Sequence, residues 1–250
     1  MLFQAHRGVS TEFPENTIPA FEAAVRQGYQ IIELDPLFTS DGECVVFHDK
    51  IVNRTCRNED GSEIAETINA GELTFAQLTA YDAGLYMGEQ FRGTRVPLLK
   101  DALALAAKEN MPIKMDNRFA KFPEWQQEKL FDIVEASGAN VGFTCINTEV
   151  VEKVLKRFPN APIHYDGAVD EDTVKQIAAL LKGNEYTVWL PLPCRLTTWV
   201  KVPMATPELC AMVKNYAKLG IWILEDQEQL EQARALGADL IETTGSIKPE

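Results

Sequence analysis

Positive charge is scarce in this 250-residue chain. Its 24 Lys and Arg face 37 Asp and Glu, leaving a formal net charge of −13. No basic field exists to draw phosphates from a distance, which argues against nucleic acid or an anionic membrane as a bulk partner. One phosphate can still bind where a site supplies local positive charge. Cysteine is also sparse. Cys44, Cys56, Cys145, Cys194 and Cys210 are odd in number and scattered. They fit neither a disulfide framework nor a zinc site and read as buried thiols in a reducing, cytoplasmic compartment. No apolar run reaches the length of a membrane span, so no membrane anchor is expected. The opening MLFQAHRGVSTEF has no basic n-region and no long apolar h-region, so no signal peptide is expected. Histidine is scarcest of all: His6, His48 and His164 are the only three.

What is present is an apolar content of 46%, ample for one large core. Strand-like and helix-like segments alternate. Strands are predicted over 2–6, 31–35, 44–48, 113–116, 141–145, 163–166, 187–190, 221–224 and 239–242. Helices are predicted over 17–27, 98–109, 123–137, 148–158, 171–182, 207–219 and 227–236, with Asn16, Asn147 and Asp170 as N-caps. Such alternation implies a parallel sheet, and nearly eight repeats in this length predict an α/β fold of the TIM (β/α)8 barrel kind. Nine strands is one too many. The link from Asp35 to Cys44 is too short for a crossover helix and holds the turn signal Thr39-Ser40-Asp41-Gly42. The second and third strands therefore form either a hairpin or a distorted part of the barrel. Residues 50–97 lack periodicity. They read as an insertion or lid over the catalytic mouth of a single domain spanning 1–250.

The chemistry concentrates in the first 55 residues. His6-Arg7-Gly8 and His48-Asp49 each follow a short apolar run. Glu33 and Asp35 follow Ile31-Ile32 and, two apart, share one face of a strand. Two carboxylates, two imidazoles and a guanidinium at strand ends can hold a hard cation, bind an anion and move protons. Arg7 offers a bidentate fork to phosphate oxygens.

Read in order, the motifs are His6-Arg7-Gly8, Pro14-Glu15-Asn16-Thr17, Glu33-x-Asp35, Asp41-Gly42, Val45-Val46-Phe47-His48-Asp49 and Arg54-Thr55. Leu73-Thr74, Asp82-Ala83-Gly84, Phe91-Arg92-Gly93 and Val96-Pro97 follow. The series resembles the glycerophosphodiester phosphodiesterase family, densely over residues 1–118 and sparsely afterwards. The resemblance implies a barrel of the phospholipase C-like phosphodiesterase type with a small insertion after the third strand. It implies metal-dependent cleavage of a small-molecule glycerophosphodiester to an alcohol and glycerol 3-phosphate. His6 would activate the attacking oxygen and His48 would protonate the leaving alkoxide. Glu33, Asp35 and Asp116 would hold one divalent cation; a set of carboxylate oxygens suits Mg²⁺, Ca²⁺ or Mn²⁺. Arg118 stands where the family carries lysine and would join Arg7 on the phosphate.

The chain departs from the family pattern in places. The usual Glu-x-Lys is Asp116-Asn117-Arg118, the usual Trp-Thr-Val-Asn is Trp222-Ile223-Leu224-Glu225, and the last strand ends Glu242-Thr243-Thr244-Gly245. Two alternatives follow: a barrel acting on a lysophospholipid or a sugar phosphodiester, or a catalytically weak binding protein. Arg54 is expected to anchor its loop, and Glu15 to sit in the first turn of the helix after it. His164, Trp189, Trp199 and Trp222 are candidates for the wall of the substrate pocket.

Overall fold

The computed structural model describes residues 1–193, 197, 200 and 202–249. Cys194 and Trp199 lie outside the described residues. The chain runs β1 (Leu2–His6), α1 (Ile18–Arg26), β2 (Ile31–Leu34), β3 (Pro36–Phe38), β4 (Cys44–Val46), α2 (Phe75–Leu78), α3 (Leu99–Lys108), β5 (Ile113–Met115) and α4 (Glu124–Ser137). It continues with β6 (Val141–Cys145), α5 (Thr148–Arg157), β7 (Ile163–Tyr165), α6 (Glu171–Leu180), β8 (Tyr186–Pro191), α7 (Pro207–Lys214), β9 (Lys218–Leu224), α8 (Gln227–Ala235) and β10 (Leu240–Thr243).

Eight parallel strands close a barrel in the order β1-β10-β9-β8-β7-β6-β5-β2. Closure pairs Leu2 with Leu240 and Ala5 with Thr243. Strands covered by helices outside and filled by side chains inside have no wet face, so β2, β5, β6, β7, β8 and β10 are buried throughout. Among the described residues no helix is long and apolar enough to cross a membrane.

The surplus predicted strand, 44–48, is not in the barrel. After β2 the chain turns at Asp35, and β3 pairs antiparallel with β4, Pro36 opposite Val46 and Phe38 opposite Cys44. The third predicted strand thus lies in a hairpin, but its partner is β3, which no predicted strand covered, and the second predicted strand, 31–35, stays in the barrel as β2. Its turn is held by Thr39, whose N–H donates to the Glu43 carbonyl and whose hydroxyl bonds Asp41, with Gly42 at φ 80°. Other boundaries shift. The predicted helix over 207–219 ends at Lys214, and β9 starts at Lys218, because Leu219 and Ile221 are drawn fully into the barrel core. The predicted caps Asn147 and Asp170 accept from Val150 and Thr173 N–H. Asn16 does not cap α1. The N-cap there is Thr17, whose hydroxyl donates to the Pro14 carbonyl and makes no capping bond to the helix.

The excursion after β4 carries its own small core of Phe47, Val52, Cys56, Leu78, Ala83 and Val96. Asp82 organises it: its carboxylate accepts from the N–H groups of Gly84, Leu85 and Gly93. This gives the Asp82-Ala83-Gly84 and Phe91-Arg92-Gly93 motifs one structural job. Gly84 packs so tightly that an added Cβ would lie 2.2 Å from the Phe91 carbonyl oxygen. Gly84→Ala should therefore destabilise the protein by about 1–3 kcal/mol, the usual penalty for overpacking. Urea unfolding should show a lower midpoint at unchanged slope.

Candidate active site

A cleft of about 610 Å³ opens at the carboxyl end of the barrel strands. That end is where a barrel displays residues just past each strand. His6 closes β1, and the chain then reverses through Arg7 (φ 59°) and Gly8 (φ 78°). The turn aims the Arg7 N–H at Glu33 Oε2, 3.1 Å away. The Arg7 guanidinium reaches Glu15 at 2.8 Å and Asp35 at 3.3 Å.

Glu33 and Asp35, paired by their spacing, come together with Asp116, which the family resemblance implied. Each offers an oxygen, and these atoms all lie within 4.8 Å of one another. Glu33 is 4% exposed and Asp35 is 2% exposed. Burial first, then the charges of Asp35, Glu242 and Asp116, push the Glu33 carboxyl well above its usual range. Burial also pushes Asp35 up, against the pull of Arg7. Three crowded carboxylates of this kind fit a hard divalent cation, which would relieve their mutual repulsion.

Asn16 belongs to this cluster. At φ 57°, it turns its side chain onto Asp35, donating from Nδ2 to Oδ2 at 2.8 Å and accepting the Asp35 N–H at 3.4 Å. Removing a partner that orients a metal ligand typically costs 10–100-fold in metal affinity. Asn16→Ala should lower affinity for Mg²⁺ or Mn²⁺ by about that factor, read by calorimetric titration, while saturating metal restores most of the turnover.

His48 does not extend from a barrel strand as its apolar run implies. It follows β4, at the start of the excursion, and faces the cleft. Its Nδ1 meets Asp49 Oδ1 at 2.6 Å. Asp49 also binds Arg54, at 2.5 Å to Oδ2, and Arg54 grips Glu15 through two bonds of 2.7 Å. Burial works against the Asp49 charge, but the His48 and Arg54 bonds outweigh it and hold this carboxyl well below its usual range. An unbroken chain thus runs from His48 through Asp49, Arg54 and Glu15 to Arg7. Arg54 anchors its loop as expected. Glu15 is not a first-turn helix residue; it is the carboxylate joining two arginines.

Arg118 points inward. Its Nη1 donates to the His48 carbonyl, Nη2 lies 3.8 Å from Asp35, and Nε lies 3.5 Å from Asp116. Asp116 also accepts the Arg118 N–H at 2.9 Å.

The aromatic candidates divide. Trp222 lines the cleft. His164 and Trp189 do not: both are buried in the barrel interior, with Trp189 Nε1 donating to His164 Nδ1 at 3.0 Å. Successive same-face residues of a strand climb toward the mouth, so Asp166, two beyond His164, is the β7-side residue that reaches the cleft. Burial, followed by the Lys114 charge, drops His164 to about 3, so it is a neutral interior imidazole.

Sequence reasoning missed Lys114 and Glu242 as cleft residues. The signal was a charge set inside an apolar strand: Lys114 between Ile113 and Met115, and Glu242 after Leu240-Ile241.

Residues 6–164 match the sequence profile of the Glycerophosphoryl diester phosphodiesterase family. A glycerophosphodiester phosphodiesterase from Caldanaerobacter subterraneus subsp. tengcongensis is 37% identical over 246 residues, covering 96% of this chain and 92% of that protein. Among solved structures, an Oleispira antarctica phosphodiesterase in complex with the product sn-glycerol-3-phosphate superposes with a TM-score of 0.76. It is 18% identical, with 98% of this chain and 94% of that chain covered. A glycerophosphoryl diester phosphodiesterase from Parabacteroides distasonis gives a TM-score of 0.74 at 18% identity, covering 97% and 82%. These two likenesses bear on the fold. The profile match and the near-full-length relative together make this chain a member of the glycerophosphoryl diester phosphodiesterase family.

Proposed function

We propose that the protein hydrolyses glycerophosphodiesters to an alcohol and glycerol 3-phosphate, using His6 and His48 as an acid–base pair beside one divalent cation. The observation that carries this reading is the placement of both imidazoles in the cleft that holds Glu33, Asp35 and Asp116. A binding protein needs no such pair. The cation, Mg²⁺, Ca²⁺ or Mn²⁺, would be held by the three carboxylates and would offset charge that gathers on the phosphoryl oxygens.

The protein's own groups do the rest. Arg7 stands at the cleft and presents a guanidinium to an anion, and Glu15 and Asp35 fix its position. Arg118 adds positive charge behind Asp35 and Asp116 and supports the backbone of His48. Because Asp49 occupies Nδ1 of His48, Nε2 is the nitrogen left to give a proton to the departing alkoxide. His6 takes the proton from the attacking oxygen. One P–O bond forms and one breaks; His6 ends with the proton of the attacking oxygen, His48 ends without the proton given to the alkoxide, and exchange with solvent returns both to their starting forms. The excursion of residues 50–97 contributes Arg54 to the cleft wall and holds its shape through its own core, so it acts as a fixed cap.

The test is product analysis with purified protein. Glycerophosphocholine and glycerophosphoethanolamine should each yield glycerol 3-phosphate and free alcohol in equal amounts. Turnover only of a lysophospholipid or a sugar phosphodiester would reassign the substrate. Tight binding without turnover of any of these would leave a binding protein.

A further inference from the structure

Two charges deep in the barrel have no part in the chemistry above. Lys114 and Glu242 are 7% and 3% exposed, and their side chains meet at 2.8 Å. Burying an ion pair usually gains no stability over an apolar pair of the same size, because each ion loses several kcal/mol of hydration. Its place under a reactive cleft therefore asks for another reason.

The barrel register gives one. Gln4 pairs with Glu242 across β1 and β10, His6 pairs with Glu33 across β1 and β2, and Glu33 pairs with Lys114 across β2 and β5. Glu242 Oε2 accepts from both Lys114 Nζ and Gln4 Nε2. Lys114 is itself fixed, with Nζ 4.2 Å from the centre of the Trp189 ring. Two donors on one oxygen pin the carboxylate and leave Oε1 turned toward His6 Nε2, 3.9 Å away. Glu33 Oε2 lies at the same distance from Nε2, but it already accepts the Arg7 N–H and belongs to the carboxylate triad.

We infer that Glu242 is a positioning residue for His6, holding the imidazole in the form that carries its proton on Nε2. The inference rests on the reading of His6 as the proton acceptor. With Nε2–H directed at Oε1, the lone pair falls on Nδ1, which has no hydrogen-bond partner among the described residues. Nδ1 is then the atom that receives the proton of the attacking oxygen. A contraction of about 1 Å brings the pair to hydrogen-bond length, and catalytic hydrogen bonds are commonly this long before substrate arrives.

Glu242→Gln tests this without changing shape. Lys114 and Gln4 both donate at the Oε2 position, so the amide must place its carbonyl oxygen there. Its NH₂ then faces His6, and Nε2 is forced to accept instead of donate. The proton of His6 should move to Nδ1. With only three histidines, the imidazole nitrogens of [¹⁵N]histidine-labelled protein can be read individually by NMR near neutral pH. The wild type should show His6 as the Nε2–H form and Glu242→Gln as the Nδ1–H form. Turnover should fall about 100-fold or more, as expected when a catalytic imidazole is held in the wrong form. KM and metal affinity should stay unchanged. If the single variant fails to fold because Lys114 loses its counter-charge, Lys114→Met/Glu242→Gln strands no charge and should show the same inversion.

A folded variant whose His6 keeps the wild-type form overturns the inference. So does inversion with unchanged kcat. A changed metal affinity with an unchanged His6 form also overturns it and assigns Glu242 to the cation site. Failure of the parent reading looks different: His6→Ala would then retain kcat, whatever the Glu242 variants show.

Discussion

His48→Ala should lower kcat by roughly 10²–10⁴-fold, the range for losing a positioned general acid. The protein should stay folded, because the His48 ring stands at the cleft and is only half-buried. His6→Ala should fall in the same range. Asp49→Asn is the more discriminating companion. Asp49 touches His48 Nδ1 at 2.6 Å and orients the ring, and Arg54 locks Asp49 in turn. An amide there can offer its NH₂ to Nδ1 and turn the ring's proton toward the wrong nitrogen. Asp49→Asn should therefore lower kcat with little change in KM, whereas loss of a simple loop anchor would lower stability. Stopped-time product assays at saturating substrate, with circular dichroism as the folding check, separate these outcomes. A folded His48→Ala enzyme with near-normal kcat would remove His48 from the mechanism.

Asp35→Asn should have an effect of similar size by another route. Asp35 is the most enclosed of the three carboxylates and is held by Asn16, Arg7 and Arg118. The substitution keeps the shape and removes one charge from the triad. If the cation provides about 4 kcal/mol toward the transition state, its loss lowers turnover by about 10³-fold. Binding can be read without turnover. A ligand that binds only the folded state raises the melting temperature with its concentration. Wild type should melt higher as Mg²⁺ or Mn²⁺ is added, and Asp35→Asn should respond far less. Asp116→Asn should behave likewise but more mildly, since Asp116 is only half-buried and already accepts from Arg118. Asp116→Glu should be tolerated better than Asp116→Asn. An unaltered metal titration in Asp35→Asn would mean that the triad is not the cation site.

Local chemistry explains why so much of this site was readable from the chain. Glu33 and Asp35 lie two apart at the end of one strand, and strand geometry alone puts them together. His6 and Arg7 sit at the last step of β1, where any barrel opens its mouth. Long-range partners were not readable. Asn16 precedes a helix and looks like a cap, yet its partner is Asp35, 19 residues on, and only the left-handed turn at Asn16 reveals it. Lys114 and Glu242 are 128 residues apart and meet only because β1 closes the barrel between β10 and β2. Short apolar runs were equally ambiguous. Cys44–Val46 and Ile163–Tyr165 look alike in sequence, but one lies in a hairpin and the other in the barrel. The four residues of α2 are too few to show helical periodicity; their capping box of Thr74 and Gln77 was the available sign. At β9, burial against β8 and β10 outweighed the helical appearance of residues 215–219.

The most direct measurement is release of glycerol 3-phosphate from glycerophosphocholine by one preparation in three states: metal-stripped, reloaded with Mg²⁺, Ca²⁺ or Mn²⁺, and reloaded then chelated. Release should be absent in the first, present with at least one cation in the second, and absent again in the third. Equal release in all three states would contradict the account at its centre, because three crowded carboxylates, two of them buried, would then face an anionic substrate with no cation to reconcile them.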